Sequence, residues 1–176
     1  MFCLLVKHSL RWENIDIFRP NHTKGVLNEA YLRLPLLRST AICALNSTVG
    51  QLDFLESAPN LRELELQRIS PIGVDCQNLT RLVASFISTA DILVTLRQTK
   101  NLQYLHLKNT LKRPLDTSGL VEPVSLPYLK TLFLRNRHLS LLLPFIGYAP
   151  MLQELRVSEW GGRFSGPFDL DILHFF

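Results

Sequence analysis

Residues 58–66 read "APNLRELEL", and residues 149–157 read "APMLQELRV". The two stretches keep Pro, Leu and Glu at matching positions, while the charged residues between them change. In the first stretch, Leu61, Leu64 and Leu66 follow the spacing Leu-x-x-Leu-x-Leu. Residues two apart in a strand point to the same side, so Leu64 and Leu66 share one face and Glu63 and Glu65 the other. The stretch therefore predicts a strand with one apolar and one polar face.

The same spacing recurs along the whole chain. Four clear copies begin at Leu61, Leu102, Leu129 and Leu152, and three weaker ones begin at Trp12, Leu37 and Leu79. In chain order these first positions are separated by 25, 24, 18, 23, 27 and 23 residues. Such spacings are typical of leucine-rich repeats, whose length is about 20 to 29 residues. An amphipathic helix also places Leu at i and i+3, but the Pro just upstream of three of the four clear copies and the separate apolar segments favour strands.

Apolar segments between the strands predict short return helices. Residues 52–55 precede Pro59, and residues 141–146 precede Pro150. Proline lacks an N–H and disfavours helix in the residue before it, so each Ala-Pro pair is predicted to end a helix. The predicted fold is α/β: a right-handed leucine-rich-repeat solenoid of about seven repeats. Its curved parallel sheet is expected to have an exposed concave face, with helices and loops on the convex side.

The composition predicts one domain over residues 1–176. A hydrophobic share of 47% and a mean hydropathy of +0.12 are enough for a packed core. The apolar stretch at 139–152 is too short to span a bilayer and contains Pro144 and Pro150. No secretory signal is recognisable at the first residues, which predicts a cytoplasmic or nuclear location and no membrane association. Both ends are apolar, so the chain is expected to be a fragment, truncated at both ends.

The sequence contains none of the catalytic or metal-binding motifs that we sought. Cys3, Cys43 and Cys76 form no CxxC pair, and the five His residues form neither HxxxH nor HExxH. There is no GxSxG elbow, and the glycines of "WGGRFSG" at 160–166 lack the spacing of a phosphate-binding loop. We therefore predict no catalytic residue, no cofactor, no metal and no enzymatic activity.

The exposed positions of the predicted strands supply the candidate binding residues. Two are aromatic, three are cationic and one is a histidine. They are Tyr104, His106, Lys108, Phe133, Arg135 and Arg156. Aromatic residues and Arg dominate the energetics of protein interfaces, which makes this set a candidate partner-binding surface. The alternative is a solvated sheet face whose exposed positions tolerate any polar residue.

Three segments carry a resemblance to a known family. They are "LLVKHSLRWENIDIFRP" (4–20), "LPLLRSTAICALN" (34–46) and "LESAPNLRELEL" (55–66). Together they resemble the leucine-rich-repeat region of F-box-like proteins from mushroom-forming fungi. In that family an N-terminal F-box docks an adaptor of a cullin-type ubiquitin ligase, and the repeats capture a substrate. The chain departs from the family in having no Leu-Pro-x-Glu-rich F-box motif.

Three functions remain open at this point. The first is a non-catalytic protein–protein interaction module, which the resemblance implies is the substrate-recognition part of an F-box ubiquitin-ligase adaptor. A nucleic-acid-binding role for the basic part of the concave face has little support, because the formal net charge is only +4 and Glu63, Glu65 and Glu154 share that face. A secreted leucine-rich-repeat recognition protein would use the three Asn-x-Ser/Thr sequons of the chain. The partner's identity and the oligomeric state stay open.

Overall fold

A computed structural model describes residues 7–18, 34–44, 52–68, 70–71, 74–109, 122–135 and 143–158. Within these residues there are nine strands, one α-helix and three short 3-10 helices. The strands are β1 (Asn14–Phe18), β2 (Ser39–Cys43), β3 (Glu63–Gln67), β4 (Arg81–Ser85), β5 (Tyr104–Lys108), β6 (Val124–Ser125), β7 (Thr131–Arg135), β8 (Ile146–Tyr148) and β9 (Glu154–Ser158). The helix is α1 (Thr89–Gln98), and the 3-10 helices are Ser9–Arg11, Asp53–Ser57 and Leu143–Phe145.

Seven of the strands form one parallel sheet in the order β1-β2-β3-β4-β5-β7-β9. Each of the seven predicted repeats supplies one of these strands, and all six neighbouring pairs are parallel. The register keeps equivalent repeat positions side by side, as Leu64, Leu82 and Leu105 show. The predicted parallel sheet is therefore confirmed, and it is accompanied by few helices.

The second and third apolar positions of each repeat lie on one face of the sheet and form the core. On the central strands they are almost fully enclosed: Leu64, Leu66, Leu105 and Leu107 are each at most 1% exposed. Thr40 occupies the same position on β2, where its hydroxyl donates a hydrogen bond to the carbonyl of Ile15 at 2.9 Å. The buried hydroxyl is thus satisfied, which removes most of the cost of a polar atom in the core.

A four-residue turn leads into most strands and explains the recurring prolines. In the turn before β3, the N–H of Leu61 donates to the carbonyl of Ala58 at 3.1 Å, with Pro59 as the second residue. The same bond closes the turns that contain Pro35, Pro127 and Pro150. The fixed φ of proline suits the second position of such a turn. The 3-10 helix Asp53–Ser57 does end just before Ala58, as expected, but the proline itself shapes the turn that follows.

The predicted helix over residues 141–146 is met only in part where the structure describes it. Only Leu143–Phe145 is helical, as a single 3-10 turn, and Ile146 already belongs to β8, which pairs with β6. Residues 141 and 142 lie outside the described residues. The physical reason is local, since a proline interrupts the segment and the following Ile-Gly-Tyr pairs with β6. Gly147 allows this pairing, because a Cβ there would lie 2.5 Å from Cβ of Pro123.

The α-helix between β4 and β5 was not predicted from the sequence. Ser88 caps α1, its hydroxyl accepting a hydrogen bond from the N–H of Asp91 at 3.1 Å. Ile92, Leu93 and Leu96 lie on its buried face and join the core. Among the described residues, no helix has the length and apolar character needed to cross a bilayer.

Candidate functional site

The face of the sheet opposite the leucines, here called the open face, carries the side chains that alternate with the core. Because the strands are in register, these side chains form three rows that run across the sheet, with neighbours about 4.8 Å apart. The middle row consists of Asp16, Ala41, Glu65, Val83, His106, Phe133 and Arg156. The two stretches that repeat in the sequence thus place Glu65 and Arg156 in the same row.

Three ring side chains meet on β5 and β7 and are here called the aromatic cluster: Tyr104, His106 and Phe133. The ring centroid of Phe133 lies 5.5 Å from that of Tyr104 and 5.5 Å from that of His106, and the two rings of β5 are 6.5 Å apart. All three pairs are edge-to-face, with interplanar angles of 79° to 90°. This is a favoured geometry for ring pairs, so the cluster holds its shape without a ligand.

Four cationic side chains stand around the aromatic cluster and are here called the cationic rim: Arg81, Lys108, Arg135 and Arg156. Cζ of Arg81 lies 4.0 Å from the ring centroid of Tyr104, and Cζ of Arg156 lies 4.8 Å from that of Phe133. Each such cation–π contact contributes about 0.5–1 kcal/mol at an exposed site. Lys108 and Arg135 are register partners on β5 and β7, in the row beside the middle one.

Two of the rim arginines have acidic partners on the same face. Nε of Arg81 is 4.0 Å from Oε2 of Glu63, and Nη2 of Arg156 is 2.6 Å from Oε1 of Glu154. All four side chains are at least 40% exposed. Exposed ion pairs contribute only about 0–1 kcal/mol, so a carboxylate from a partner can replace either glutamate at little cost.

The cationic rim raises the positive potential at the centre of the aromatic cluster, and this potential affects the pKa of His106. The pKa of His106 falls from its usual 6.5 to about 4, first because burial disfavours the charged imidazolium and then because Lys108, Arg81 and Arg135 repel it. The imidazole is therefore neutral at pH 7. The burial disfavours any charge at this point, whereas the repulsion from the three cations favours an anion beside the ring.

The structure places all six predicted partner-binding residues on the open face of neighbouring strands. Tyr104, His106 and Phe133 contact one another, and Arg156 covers Phe133. Lys108 and Arg135 lie one row away from the cluster centre. Their role in binding stays a prediction.

Sequence reasoning missed Arg81, which covers Tyr104. The signal was present, because Arg81 follows Leu79 by two residues in a weaker repeat, as Tyr104 follows Leu102 in a clear one.

Charge divides the open face into two parts. Asp16, Glu63 and Glu65 lie on β1 and β3, whereas the cationic rim lies on β4 to β9. Between them stands Val83, which strict alternation would expose but which is only 3% exposed. A partner on this face therefore meets an acidic part and an aromatic, cationic part side by side.

A second surface feature is a polar groove of about 420 Å³ along the turns before β3 to β7. Its walls include Asn60, Asn78 and Asn101, which hold equivalent turn positions. Their side-chain amides donate to carbonyls of the preceding turns, at 2.6 Å to Pro35, 3.0 Å to Pro59 and 3.2 Å to Gln77. Because these amides already bridge successive turns, the groove is explained by the fold.

The described thiols do not form a reactive site. Burial, with a smaller contribution from Asp75, raises the pKa of Cys76 to about 12, which keeps that thiol protonated. Cys43 is half-buried on the open face, and its thiol donates to Oε1 of Gln67 at 3.0 Å. Cys3 lies outside the described residues. Across the described ranges, no group of three or more His, Cys, Asp or Glu side chains is placed to hold a metal ion.

The open face around the aromatic cluster is therefore the strongest candidate site in the described part of the chain. It joins preformed ring contacts, concentrated positive charge and weakly held acidic partners. A comparison of the chain with protein-family models, with curated proteins and with solved structures gives no match in any of the three.

Proposed function

We propose that the chain is a non-catalytic protein-interaction module that captures a protein partner on its open face. The observation that carries this proposal is the aromatic cluster with two arginines lying over its rings. Tyr and Arg are the residue types that most often form hot spots. The ring contacts also hold Tyr104 and Phe133 in place before binding, which lowers the ordering cost of association.

The proposal includes a leucine-rich-repeat architecture. Seven strands in unbroken parallel register, at the spacing of the sequence repeat, support a right-handed solenoid with the open face on its concave side. The resemblance to fungal F-box-like proteins further suggests a substrate-recognition role beside a ubiquitin-ligase adaptor.

Affinity capture from a lysate of the source organism tests the interaction. The wild-type chain is compared with the double variant Tyr104→Ala/Phe133→Ala, and bound proteins are identified by mass spectrometry. Truncating two hot-spot residues typically costs more than about 1 kcal/mol each, so the partner should be lost. The matched control is Tyr128→Ala/Lys130→Ala, which removes an exposed ring and an exposed cation from the segment that precedes β7. Equal capture by the site variant and the control would place the binding surface elsewhere.

A further inference from the structure

We propose that the segment captured on the aromatic cluster is an acidic stretch of polypeptide whose carboxylates replace Glu63 and Glu154 as partners of Arg81 and Arg156. This inference rests on the proposed function, and it adds the chemistry of the partner. Its basis is the charge of the open face, the orientation of the two arginines and the environment of His106.

The distribution of charge on the open face determines both the sign of the partner's charge and the place where the partner binds. Four cations surround the cluster, and the two glutamates that contact them, Glu63 on β3 and Glu154 on β9, are already held in ion pairs with Arg81 and Arg156. On the other side of buried Val83, Asp16 and Glu65 would repel an acidic segment. An acidic segment is therefore attracted to β4–β9 and excluded from β1–β3, which fixes its place.

The orientation of the two arginines leaves them able to bind carboxylates. Cζ of Arg81 and of Arg156 lies over the ring of Tyr104 and of Phe133, and each guanidinium reaches a glutamate carboxylate at the same time. The N–H groups point outward in the plane of the guanidinium and are the atoms that pair with a carboxylate, often two at once. Replacing an exposed glutamate by a partner carboxylate keeps the charge of each arginine compensated throughout.

His106 lies where the bound segment would pass. Its neighbours on the open face come from three strands. They are Tyr104 and Lys108 on β5, Arg81 and Val83 on β4, and Phe133 and Arg135 on β7. No carboxylate is among these neighbours in the described residues. A bound carboxylate would offset the repulsion from Lys108, Arg81 and Arg135 and raise the pKa of the imidazole. The complex would then take up a proton as the pH falls.

A polynucleotide is the other polyanion that such a surface could meet, and the geometry disfavours it. Single-stranded nucleic acid binds by stacking bases on ring faces. Arg81 and Arg156 already cover one face each of Tyr104 and Phe133, and the three rings meet edge-to-face. The neighbouring acidic part of the face would also repel a continuous phosphate chain. An acidic polypeptide needs only a short stretch of negative charge.

Fluorescence polarisation with synthetic probes tests the inference on the whole chain. Four strands spaced about 4.8 Å apart are crossed by about five extended residues, so a fluorescein-labelled Glu-rich peptide of about eight residues is long enough. Its matched control replaces every Glu by Gln, and an oligothymidylate of similar length is the third probe. At about 50 mM salt, where charge contacts are strong, we expect saturable binding of the Glu peptide only.

Protein variants locate the site on the rim. Arg81→Gln and Arg156→Gln should each lower the affinity for the Glu peptide about tenfold. Arg62→Gln and Lys130→Gln, which remove exposed cations outside the rim, should change this affinity by less than about twofold. An equal loss of affinity in all four variants would show that the peptide is attracted non-specifically to any positive charge. That result would overturn the inference, as would tighter binding of the oligothymidylate, equal binding of the Gln peptide, or no binding of the Glu peptide.

Two further measurements separate this inference from the proposed function. The pKa of His106, followed by NMR titration, should be higher in the complex with the Glu peptide than in the free chain, because a bound carboxylate offsets the repulsion from the rim cations. An unchanged pKa would overturn the inference. Excess Glu peptide should also release the protein captured from lysate. If capture depends on Tyr104 and Phe133 but resists the peptide and Arg81→Gln, the interaction module stands and the acidic partner is wrong.

Discussion

The pKa of His106 depends on charged side chains from several strands of the open face. Nothing in its sequence neighbourhood, Tyr-Leu-His-Leu-Lys, distinguishes it from a tolerant exposed position. Its lowered pKa comes from partial burial and from cations on three strands. This combination appears only when the strands are in register.

The same pKa predicts how stability depends on pH. In the unfolded chain the imidazole titrates near its usual 6.5, and in the folded chain near 4. Between these values the unfolded state binds more protons, so the stability present above pH 6.5 declines as the pH falls toward 4. Urea unfolding midpoints at several pH values should show a steeper acid loss for the wild type than for His106→Asn. If the unfolding midpoints of the two proteins changed with pH in parallel, the lowered pKa of His106 would be contradicted.

The two described cysteines should differ in reactivity. Cys76 is buried and its thiol stays protonated, whereas Cys43 is half-buried on the open face. In a Cys3→Ser background at pH 8, a disulfide reagent should modify Cys43 in the native protein and Cys76 only after unfolding. Cys43→Ser in the same background is the control, and it should abolish the native reaction. Rapid labelling of that control would show that Cys76 is accessible.

At the scale of elements, the strands were predictable because their signal is local. The spacing of Leu102, Leu105 and Leu107 is sufficient to place a strand, and the register follows from the repeat. Helix α1 was missed because Ile92, Val94 and Thr95 have low helix propensity, which packing of its buried face overrides.

The candidate site was predictable only in part, for a different physical reason. Alternation identified which side chains of β5, β7 and β9 reach the open face. The edge-to-face ring contacts and the position of Arg81 over Tyr104 depend on rotamers and on the neighbouring strand. No local sequence pattern encodes those contacts.

The short β6–β8 pair depends on one glycine. Gly147→Ala would place a methyl group 2.5 Å from Cβ of Pro123, so the strands must separate. We expect a loss of about 1–3 kcal/mol in the free energy of unfolding, measured in urea. In a Pro123→Gly background the same substitution should cost less, because the obstructing atom is gone. Equal costs in both backgrounds would mean that the close approach is unimportant.

For the whole molecule, the sheet predicts that the cost of a cavity depends on the strand. Leu105 on the interior strand β5 is fully buried, whereas Leu155 on the edge strand β9 is only partly buried. Leu105→Ala should cost about 2–5 kcal/mol, and Leu155→Ala clearly less, because less apolar surface is lost. The exposed Gln103→Ala should change stability by less than about 0.5 kcal/mol. Similar costs for the two leucines would mean that β9 is better covered than its exposure indicates.

The middle row of the open face also has a consequence for how binding specificity can change. Its seven positions hold residues as different as Asp16, Ala41, Phe133 and Arg156 on equivalent backbone sites. The leucines that fold the sheet point away from this row, so a substitution at any of its positions other than the buried Val83 leaves the packing of the repeats intact. A new partner can therefore be accommodated one strand at a time, by changing single codons without rebuilding the domain.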